Sequence, residues 1–545
     1  MSNLLPMSGQ AVMSGEAVMS GRDHAAAALL SPAHTRGLLI GLGLATGMEF
    51  YTVDSVNLVL PDVAGSLGLS ADEASWLLTV YSCALVCCVP VSTWLAGHFG
   101  YKRYLIASTV LFAVASMGCA ISSRLETLLV WRAILGLAGA GLIMWWRASV
   151  YMLMPGPRRG PLMTRLSTSL YLASAAGLLA SGFLTDQFNW RLIFLPNLLF
   201  AAGAVSFLLR FFPNVPRPSS PRLTQADWPG IVLIALALIS LQIVLSRGEI
   251  DDWFGSRMIR TLTWTSASSL VMFVWWQYSA RNRAPLIDVV LMRDRHVVSS
   301  VLIGLFAGMI LSGSLFVLPQ FLRKFTEHTY SATQTGQIIC VYALAAAGLR
   351  RLVAPLVARV GQRNTIAIAL VMLISSMLVF EHYLTTDTSV GYYMLPLTLY
   401  AMCVAPLLSA IGSGVVSRVA QKEKLLDAVS IYMTFRQLGA SLGVALLNIL
   451  LDHRETLHSA RLFEHLHGDD AGMRGWLATQ GANAVARGGH SIVDGHMMAL
   501  GQLAAATRQQ AATLSYADAF GFMTLIGVIA LCTIPVIPPT PVIRQ

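Results

Sequence analysis

The chain has 545 residues, of which 55% are hydrophobic and only 12% are charged. Soluble globular domains contain about a quarter charged residues, so this composition excludes an ordinary water-soluble fold and predicts a membrane protein. The net charge of +10 would suit a nucleic-acid-binding protein, but the basic residues collect beside apolar segments, as they do on the cytoplasmic side of membrane proteins.

The first predicted element is a disordered cytoplasmic tail, residues 1–36, which contains a six-residue repeat and lacks the apolar core of a signal peptide. Beyond it, apolar runs of about 20 residues, the length that crosses a membrane about 30 Å thick, recur along the chain. They predict fourteen transmembrane helices, at residues 37–60, 74–96, 104–122, 127–150, 163–185, 191–211, 228–246, 261–279, 298–320, 333–355, 364–383, 389–413, 428–451 and 516–537. An even number of spans puts both termini on one side of the membrane. Cations place that side in the cytoplasm, for example Lys102–Arg103, Arg158–Arg159, Arg281–Arg283 and Arg350–Arg351.

Longer connections divide these spans into units. Residues 37–211 are predicted to form an N-terminal six-helix bundle, and residues 212–297 a linker that contains two additional transmembrane helices. Residues 298–537 are predicted to form a C-terminal six-helix bundle, which includes an amphipathic periplasmic hairpin at 452–515. A cytoplasmic tail, residues 538–545, completes the predicted all-α polytopic protein.

Two similar segments indicate that the bundles are related. LAGHFGYKR follows span two, LVARVGQRN follows span ten, and both place a glycine and cations at equal spacing. Gly100 and Gly361 are predicted to supply the positive φ of a tight turn between helices. The candidate gating residues are these two glycines together with Lys102, Arg103 and Gly177. Gly177 has no side chain and so permits close helix packing.

Ionisable residues inside the spans are the candidates for coupling to protons. An arginine at the bilayer centre costs about 2.5–3.5 kcal/mol, so it is retained when it faces a polar cavity or an opposite charge. Arg132 and Asp54 are predicted to lie at similar depth, while Glu49 lies nearer the centre. Asp54 and Arg132 then form a static ion pair, take part in a proton-linked site, or make no contact. Since arginine does not titrate, Glu49 and Asp54 are the candidate proton carriers.

Other polar and aromatic side chains in the spans are candidates for a substrate cavity: Asn57, Trp145, Trp146, Arg147, Tyr171 and Arg436. The alternatives are an aromatic belt at the membrane interface, an Arg147 that extends to the cytoplasmic surface, and an Arg436 bonded to helix carbonyls. No catalytic motif, metal-ligand spacing or ATP-binding loop appears. We therefore predict neither an enzyme, a metal nor a cofactor, and expect a proton gradient to supply the energy.

Four segments carry recognisable signatures, in spans one, four, six and thirteen: YTVDSVNLVLP, RAILGLAGAGL, FNWRLIFLPN and FRQLGASLGVALLNILLDHRETLH. They resemble the major facilitator superfamily, and within it the fourteen-span drug:proton antiporters of the EmrB and QacA type. The chain departs from the family pattern at Thr52, where the first-span acid usually stands. In span five, Leu178 and Ser181 replace a proline and a glycine of the antiporter signature.

The resemblance implies a major facilitator fold of two six-helix bundles with two extra central helices. It also implies efflux of amphipathic small molecules, including multidrug resistance, by alternating access in the bacterial inner membrane. The hairpin would bind a periplasmic adaptor protein that leads to an outer-membrane channel; the alternative is a free-standing loop. Two other functions are candidates, because the span-five signature lacks its proline and one glycine. One is a dedicated exporter or importer of one metabolite or siderophore, and the other is a membrane sensor or scaffold that does not transport.

Overall fold

The computed structural model describes residues 31–154, 156–214, 226–282, 284–324, 330–385, 389–417, 422–466, 471–488 and 491–536. Most of the predicted tail 1–36 and all of the tail 538–545 lie outside these residues. The regular structure within them is helical throughout. The all-α prediction is therefore confirmed for the described part of the chain.

Six long helices form the first half: α1 (Pro32–Leu67), α2 (Ala71–Phe99), α3 (Tyr101–Ile121), α4 (Leu125–Leu153), α5 (Gly156–Gln187) and α6 (Pro196–Phe211). Two follow, α7 (Trp228–Arg247) and α8 (Arg257–Tyr278). The second half contains α9 (Arg295–Lys324), α10 (Ala332–Val360), α11 (Gln362–Tyr383), α12 (Val390–Ser417), α13 (Lys422–His465), α14 (Ala471–Gly488) and α15 (Ile492–Cys532). Short 3-10 turns lie at Trp190–Phe194, Trp253–Gly255, Val289–Arg293 and Ile534–Val536.

Twelve helices within the described residues are both long enough and apolar enough to cross a membrane. Helices α1 and α8, with 36 and 22 residues, coincide with the other two predicted spans but are not among these twelve. Charged and hydroxyl-bearing residues along both helices lower their hydropathy. The protein is thus a multi-pass membrane protein, and twelve of its described helices are candidate spans.

Glycines bring helices into close contact within each half. In the first half α1 lies against α5, where a Cβ at Gly177 would be 2.7 Å from the Tyr51 carbonyl oxygen. In the second half α9 crosses α13 at Gly308 and Gly439, where an added Cβ would overlap a backbone carbonyl of the facing helix. Small residues allow this approach, and dispersion contacts then stabilise the helix pair where lipid gives no hydrophobic driving force.

The additional helices α7 and α8 pack on each other, and α7 also contacts α2 and α13, one helix from each half. Asp227 lies just before α7 and connects the two helices. It accepts hydrogen bonds from the Gly230 amide of α7 and, on α8, from the Trp276 indole at 2.7 Å and the Gln277 amide at 2.8 Å. Burial alone would raise the pKa of Asp227, but these hydrogen bonds stabilise the carboxylate and hold the pKa below its usual value. The two helices therefore lie along the α2–α13 seam, fixed at one end by a carboxylate.

One end of the molecule, here called the hairpin face, carries α14 and the extended ends of α13 and α15. Helix α14 packs on α15, and Asp518 of α15 contacts His458 at 2.8 Å and Arg454 at 3.5 Å, both on α13. The loop between α7 and α8 reaches the same face through Glu249, which lies 3.3 Å from His453. The segment 452–515, where the sequence predicts a hairpin, is built from these three helices.

Several helices extend beyond the predicted spans, because hydropathy marks the apolar part of a helix and not its ends. Ser31 caps α1 and a proline follows at its first turn, so the helix begins within the predicted tail. Predicted span fourteen begins at residue 516, within α15, which itself begins at Ile492 behind a Ser491–Asp494 capping box. Polar helix-forming residues extend both helices beyond the membrane-depth segments.

Candidate functional site

Helix α1 carries two carboxylates into the interior. Glu49 and Asp54 are 5% and 9% exposed. Because five residues separate them on one helix, they project about 140° apart around its axis. Glu49 therefore contacts α2, whereas Asp54 contacts α5 and α10. Each carboxylate has its own set of partners.

Asp54 lies at the boundary between the two halves. Its carboxylate accepts a short hydrogen bond from the Ser174 hydroxyl on α5 and a longer one, 3.4 Å, from the Tyr342 hydroxyl on α10. The two hydroxyl oxygens are themselves 2.9 Å apart, and the Tyr342 ring packs edge-on against Tyr400. This group of three polar side chains joins one half to the other inside the protein, and its geometry changes whenever α10 moves away from α1.

Arg132 has no direct carboxylate partner, and one of its buried terminal nitrogens makes no hydrogen bond within the described residues. Its Nε donates to the Leu77 carbonyl at 3.1 Å, and its guanidinium lies 4.5 Å from the centre of the Tyr81 ring. The Tyr81 hydroxyl in turn donates to Glu49 at 3.2 Å. The predicted pairing of Arg132 with Asp54 is therefore wrong: Asp54 points to the other half, and Arg132 reaches a carboxylate, Glu49, only through the tyrosine between them.

Four of the predicted cavity residues lie near one another at the boundary of the halves. The Arg147 guanidinium is 4.6 Å from the Trp146 ring and 5.7 Å from the ring of Tyr432 on α13. Tyr171 interacts electrostatically with Arg147, and Arg436 with both. Arg147 therefore faces the protein interior and does not extend to the membrane surface.

The other two predicted cavity residues lie elsewhere. Trp145, 1% exposed, packs between Tyr101 at 4.8 Å and Tyr104 at 6.5 Å, on the side of α4 that contacts α3. Adjacent residues on a helix point about 100° apart, so Trp145 and Trp146 cannot face the same neighbours. Asn57 is half-buried and makes no hydrogen bond within the described residues.

The gating candidates fall into turns and helix contacts. Gly100 and Gly361 have φ values of 91° and 83° and join α2 to α3 and α10 to α11, as the sequence predicted. Lys102 donates to two carbonyl oxygens at the end of α6, at 2.7 and 2.9 Å, so it caps that helix. Arg103 is exposed, and Gly177 lies at the α1–α5 contact described above.

The sequence did not single out several residues that complete these groups. Tyr81, Ser174 and Tyr342 are neutral side chains in apolar spans, and such residues are common in any core. Arg350 carries a usable signal, because it falls five residues inside predicted span ten, although the sequence pattern groups it with the cytoplasmic cations. It is 4% exposed and donates to the Ala405 carbonyl and, at 3.0 Å, to Ser167.

At the hairpin face, two further contacts join the halves. Arg323 at the end of α9 binds both carboxylate oxygens of Asp62 on α1, with one N–O distance of 2.9 Å. Asp186 at the end of α5 accepts hydrogen bonds from the first amides of α10, at 3.3 Å from Ala332 and 2.7 Å from Thr333. A carboxylate at a helix N-terminus is stabilised by the unpaired amides there. The halves are therefore held together at this face.

These features define a polytopic membrane protein whose two helical halves meet around buried charges. Among the described residues, no group of three His, Cys, Asp or Glu side chains could hold a metal ion. Ionisable residues inside spans mark ion or substrate pathways, and binding sites at the interface of two repeats are typical of secondary transporters.

Comparison with known proteins identifies the family. Residues 42–444 match the Major Facilitator Superfamily, and the chain belongs to that superfamily. The chain is 26% identical over 434 residues to the multidrug export protein EmrB of Escherichia coli strain K12, covering 79% of this chain and 83% of that one. It is 27% identical to the fatty acid resistance protein FarB of Neisseria gonorrhoeae, covering 78% and 83%. The resemblance to EmrB-like pumps is thus confirmed.

A solved structure supports the fold. The xylose transporter XylE from E. coli, in a partially occluded inward-open conformation, superposes with a TM-score of 0.55 at 13% identity, covering 93% of this chain and 99% of that chain. At this identity the likeness concerns the fold alone. The predicted major facilitator fold is confirmed.

Proposed function

We propose that the protein is a proton-coupled secondary transporter that exports amphipathic small molecules across the bacterial inner membrane by alternating access. In this proposal α1 and α8 also cross the membrane, which gives fourteen spans, and both termini lie in the cytoplasm. The distribution of cations supports that orientation. The hairpin face is then periplasmic, and contacts at Asp62 and Asp186 hold the two halves together there.

The observation that carries the proposal is the position of Asp54. Its carboxylate is buried between α1, α5 and α10 and takes hydrogen bonds from both halves. A charged carboxylate and a neutral carboxyl group need different partners. When the halves separate, water replaces the Tyr342 hydroxyl, and the favoured protonation state of Asp54 changes with it. A proton taken up in one state and released in the other couples the movement to the gradient, and one charge crossing 100 mV supplies about 2.3 kcal/mol.

Glu49 is the second candidate proton carrier. It is linked to Arg132 through Tyr81, and Arg436 on α13 is a second cation that interacts with it. Because Arg436 belongs to the other half, opening of the central interface alters the charge near Glu49. The two carboxylates respond to different neighbours, so separate substitutions distinguish their roles.

The relatives support the direction and the class of substrate. Proteins named for multidrug export and for fatty acid resistance cover most of this chain at similar identity. The first name states export of multiple drugs, and the second states resistance to fatty acids, which are amphipathic. No nucleotide-binding or catalytic motif competes with this interpretation, and the proton gradient is the proposed energy source.

A periplasmic adaptor that leads to an outer-membrane channel is the proposed protein partner. The hairpin face supports this, because Ile492, Val493 and Met497 at the start of α15 are 83%, 72% and 64% exposed there. Exposed apolar side chains outside the lipid are typical of protein interaction sites. A photo-crosslinking residue at Met497 is expected to capture the adaptor in cells, whereas one at the exposed Trp264 of α8 is expected to capture none.

The test of transport uses everted vesicles energised by respiration. Export appears as alkalinisation of the vesicle lumen when a member of a panel of amphipathic dyes and antibiotics is added. Asp54→Asn or Glu49→Gln is expected to abolish that signal, while Glu126→Gln, at an exposed position in the first turn of α4, leaves it intact. Normal signals from both interior variants would refute coupling through these carboxylates.

A further inference from the structure

Three arginines from both halves converge where the halves meet. Arg147 comes from α4, Arg350 from α10 and Arg436 from α13. The Arg147 guanidinium lies 5.7 Å from the ring of Tyr432, which is one helical turn before Arg436 on α13. Arg350 donates at 3.0 Å to Ser167, which is one turn before Tyr171 on α5. This arginine cluster is a different site from the Asp54 group, since its residues take no part in the hydrogen bonds of Asp54.

Helix packing fixes the positions of these side chains. Tyr432 and Arg436 are one turn apart on α13, where the Tyr432 ring covers Gly304 and the Arg436 backbone lies against Gly308 of α9. Arg350 is held by the Ala405 carbonyl and by Ser167. The α9–α13 contact therefore fixes Tyr432 and Arg436, and two hydrogen bonds fix Arg350.

The charges of the cluster are not balanced by the protein. Among the described residues, Arg147, Arg350 and Arg436 form no ion pair within 4 Å. Among the carboxylates that the structure describes, Glu49 is the one that interacts with Arg436. Buried charges are normally paired or fully hydrogen-bonded, because an isolated ion is strongly unfavourable in a low dielectric.

Several donors in the cluster also lack acceptors. One terminal nitrogen of Arg147, the Nε of Arg350 and the hydroxyl of Tyr432 are buried and make no hydrogen bond within the described residues. Arg436 is half-buried and donates no hydrogen bond there either. Buried donors without acceptors are rare in proteins. Guanidinium groups bind carboxylate and phosphate oxygens through paired, charge-assisted hydrogen bonds.

We propose that the arginine cluster binds the anionic headgroup, a carboxylate or a phosphate, of an amphipathic substrate between the two halves. The rings of Trp146, Tyr171 and Tyr432 contact the apolar part of the same molecule beside the headgroup. This inference rests on the proposed transport function and adds the charge class of the substrate. It predicts that organic anions are preferred over cations of equal apolar size.

The test measures binding to the purified full-length protein in detergent, without a proton gradient. Two fluorescent probes are compared, 11-(dansylamino)undecanoic acid and an analogue in which trimethylammonium replaces the carboxylate. The wild-type protein is expected to bind the carboxylate probe at least about tenfold more tightly, as expected for hydrogen bonds to a charged group. Equal affinity for the two probes would overturn the proposal without any variant.

Variants then locate the site. Arg147→Gln and Arg436→Gln are each expected to weaken the carboxylate probe by about tenfold or more and to leave the cationic probe unchanged or bound more tightly. Arg436→Lys retains the charge but loses the paired geometry, so its loss is expected to be smaller. Arg257→Gln, at an exposed position on α8, serves as the control.

The ratio of the two affinities separates headgroup recognition from loss of fold. A variant that weakens both probes equally has a structural defect, and if every arginine variant behaves so, the headgroup assignment is wrong. The vesicle experiment on Asp54 is independent of this ratio. Proton coupling with no preference for the anionic probe would overturn the substrate class alone, while anion binding with no coupling would overturn the transport mechanism alone.

Discussion

Replacing Arg323 by Gln removes the ion pair that joins α9 to α1 at the hairpin face. The guanidinium binds both oxygens of Asp62 and also donates to the Leu58 carbonyl at 3.1 Å. The two side chains are 14% and 28% exposed, which places the pair between an exposed ion pair, worth about 0–1 kcal/mol, and a buried charge-assisted hydrogen bond, worth about 1.5–3 kcal/mol. A loss of about 1–2 kcal/mol lowers the ratio of closed to open molecules at this face by about 5- to 30-fold.

The distance between spin labels at Gly65 and Lys324 measures that ratio. Both positions are exposed at the ends of α1 and α9, and the native cysteines are replaced beforehand. Arg323→Gln is expected to move population from the short to the long distance, because the pair exists only when the hairpin face is closed. The charge-exchanged double variant Asp62→Arg with Arg323→Asp is expected to recover part of the short-distance population.

An unchanged distance distribution in Arg323→Gln would show that the pair contributes nothing to closure. The reasoning also fails if Arg257→Gln, far from the boundary of the halves, opens the face to the same extent. In that case a general loss of positive charge, and not the α1–α9 contact, would account for the change.

Three further outcomes are expected. Asp227→Asn is expected to lower the free energy of unfolding by about 1–3 kcal/mol at pH 7, because carboxylate acceptors are lost. The pKa of Asp227 in the folded protein lies below its value in the unfolded chain, which is about 3.9. The stabilisation by Asp227 is therefore present above about pH 4 and is lost as the pH falls through the folded-state pKa. Thermal unfolding from pH 7 to 3 is expected to show a smaller acid-induced loss in the variant, and equal slopes would contradict this. Gly439→Ala places a Cβ against the Leu305 carbonyl and is expected to destabilise the protein by about 1–3 kcal/mol. The control Gly348→Ala adds a Cβ in open space and is expected to be neutral in the same unfolding assay. Lys102→Ala removes the cap of α6 and is expected to cost about 0.3–1 kcal/mol, seen as faster proteolysis at the end of α6; unchanged cleavage there would refute the capping role.

The sequence predicted the fold class because each membrane helix can be recognised from its own residues. About 20 apolar residues are required wherever the chain crosses a bilayer, and no distant contact relaxes that requirement. The turns at Gly100 and Gly361 were predictable for the same reason, since a positive φ is a property of one residue. Helix ends such as Ile492 were harder to place, because helices continue past the apolar segment when their residues favour it.

The partners of the buried charges were decided by tertiary structure. Depth along a helix can be counted from the sequence, and it suggested that Arg132 meets Asp54. The rotation of each helix decides what a side chain faces, and here Tyr81 lies beside Arg132 while Ser174 and Tyr342 surround Asp54.

The arginine cluster illustrates the same limit. Arg147, Arg350 and Arg436 lie far apart in the sequence, and apolar periodicity within one helix does not indicate which other helix will pack against it. In a membrane the apolar faces of a helix resemble lipid, so close packing at glycines such as Gly308 and Gly439 selects the neighbours. The sequence by itself determined that charges are buried in spans of a transporter fold; the packing of the two halves determined which charges meet, because only that packing sets the distances between residues of different helices.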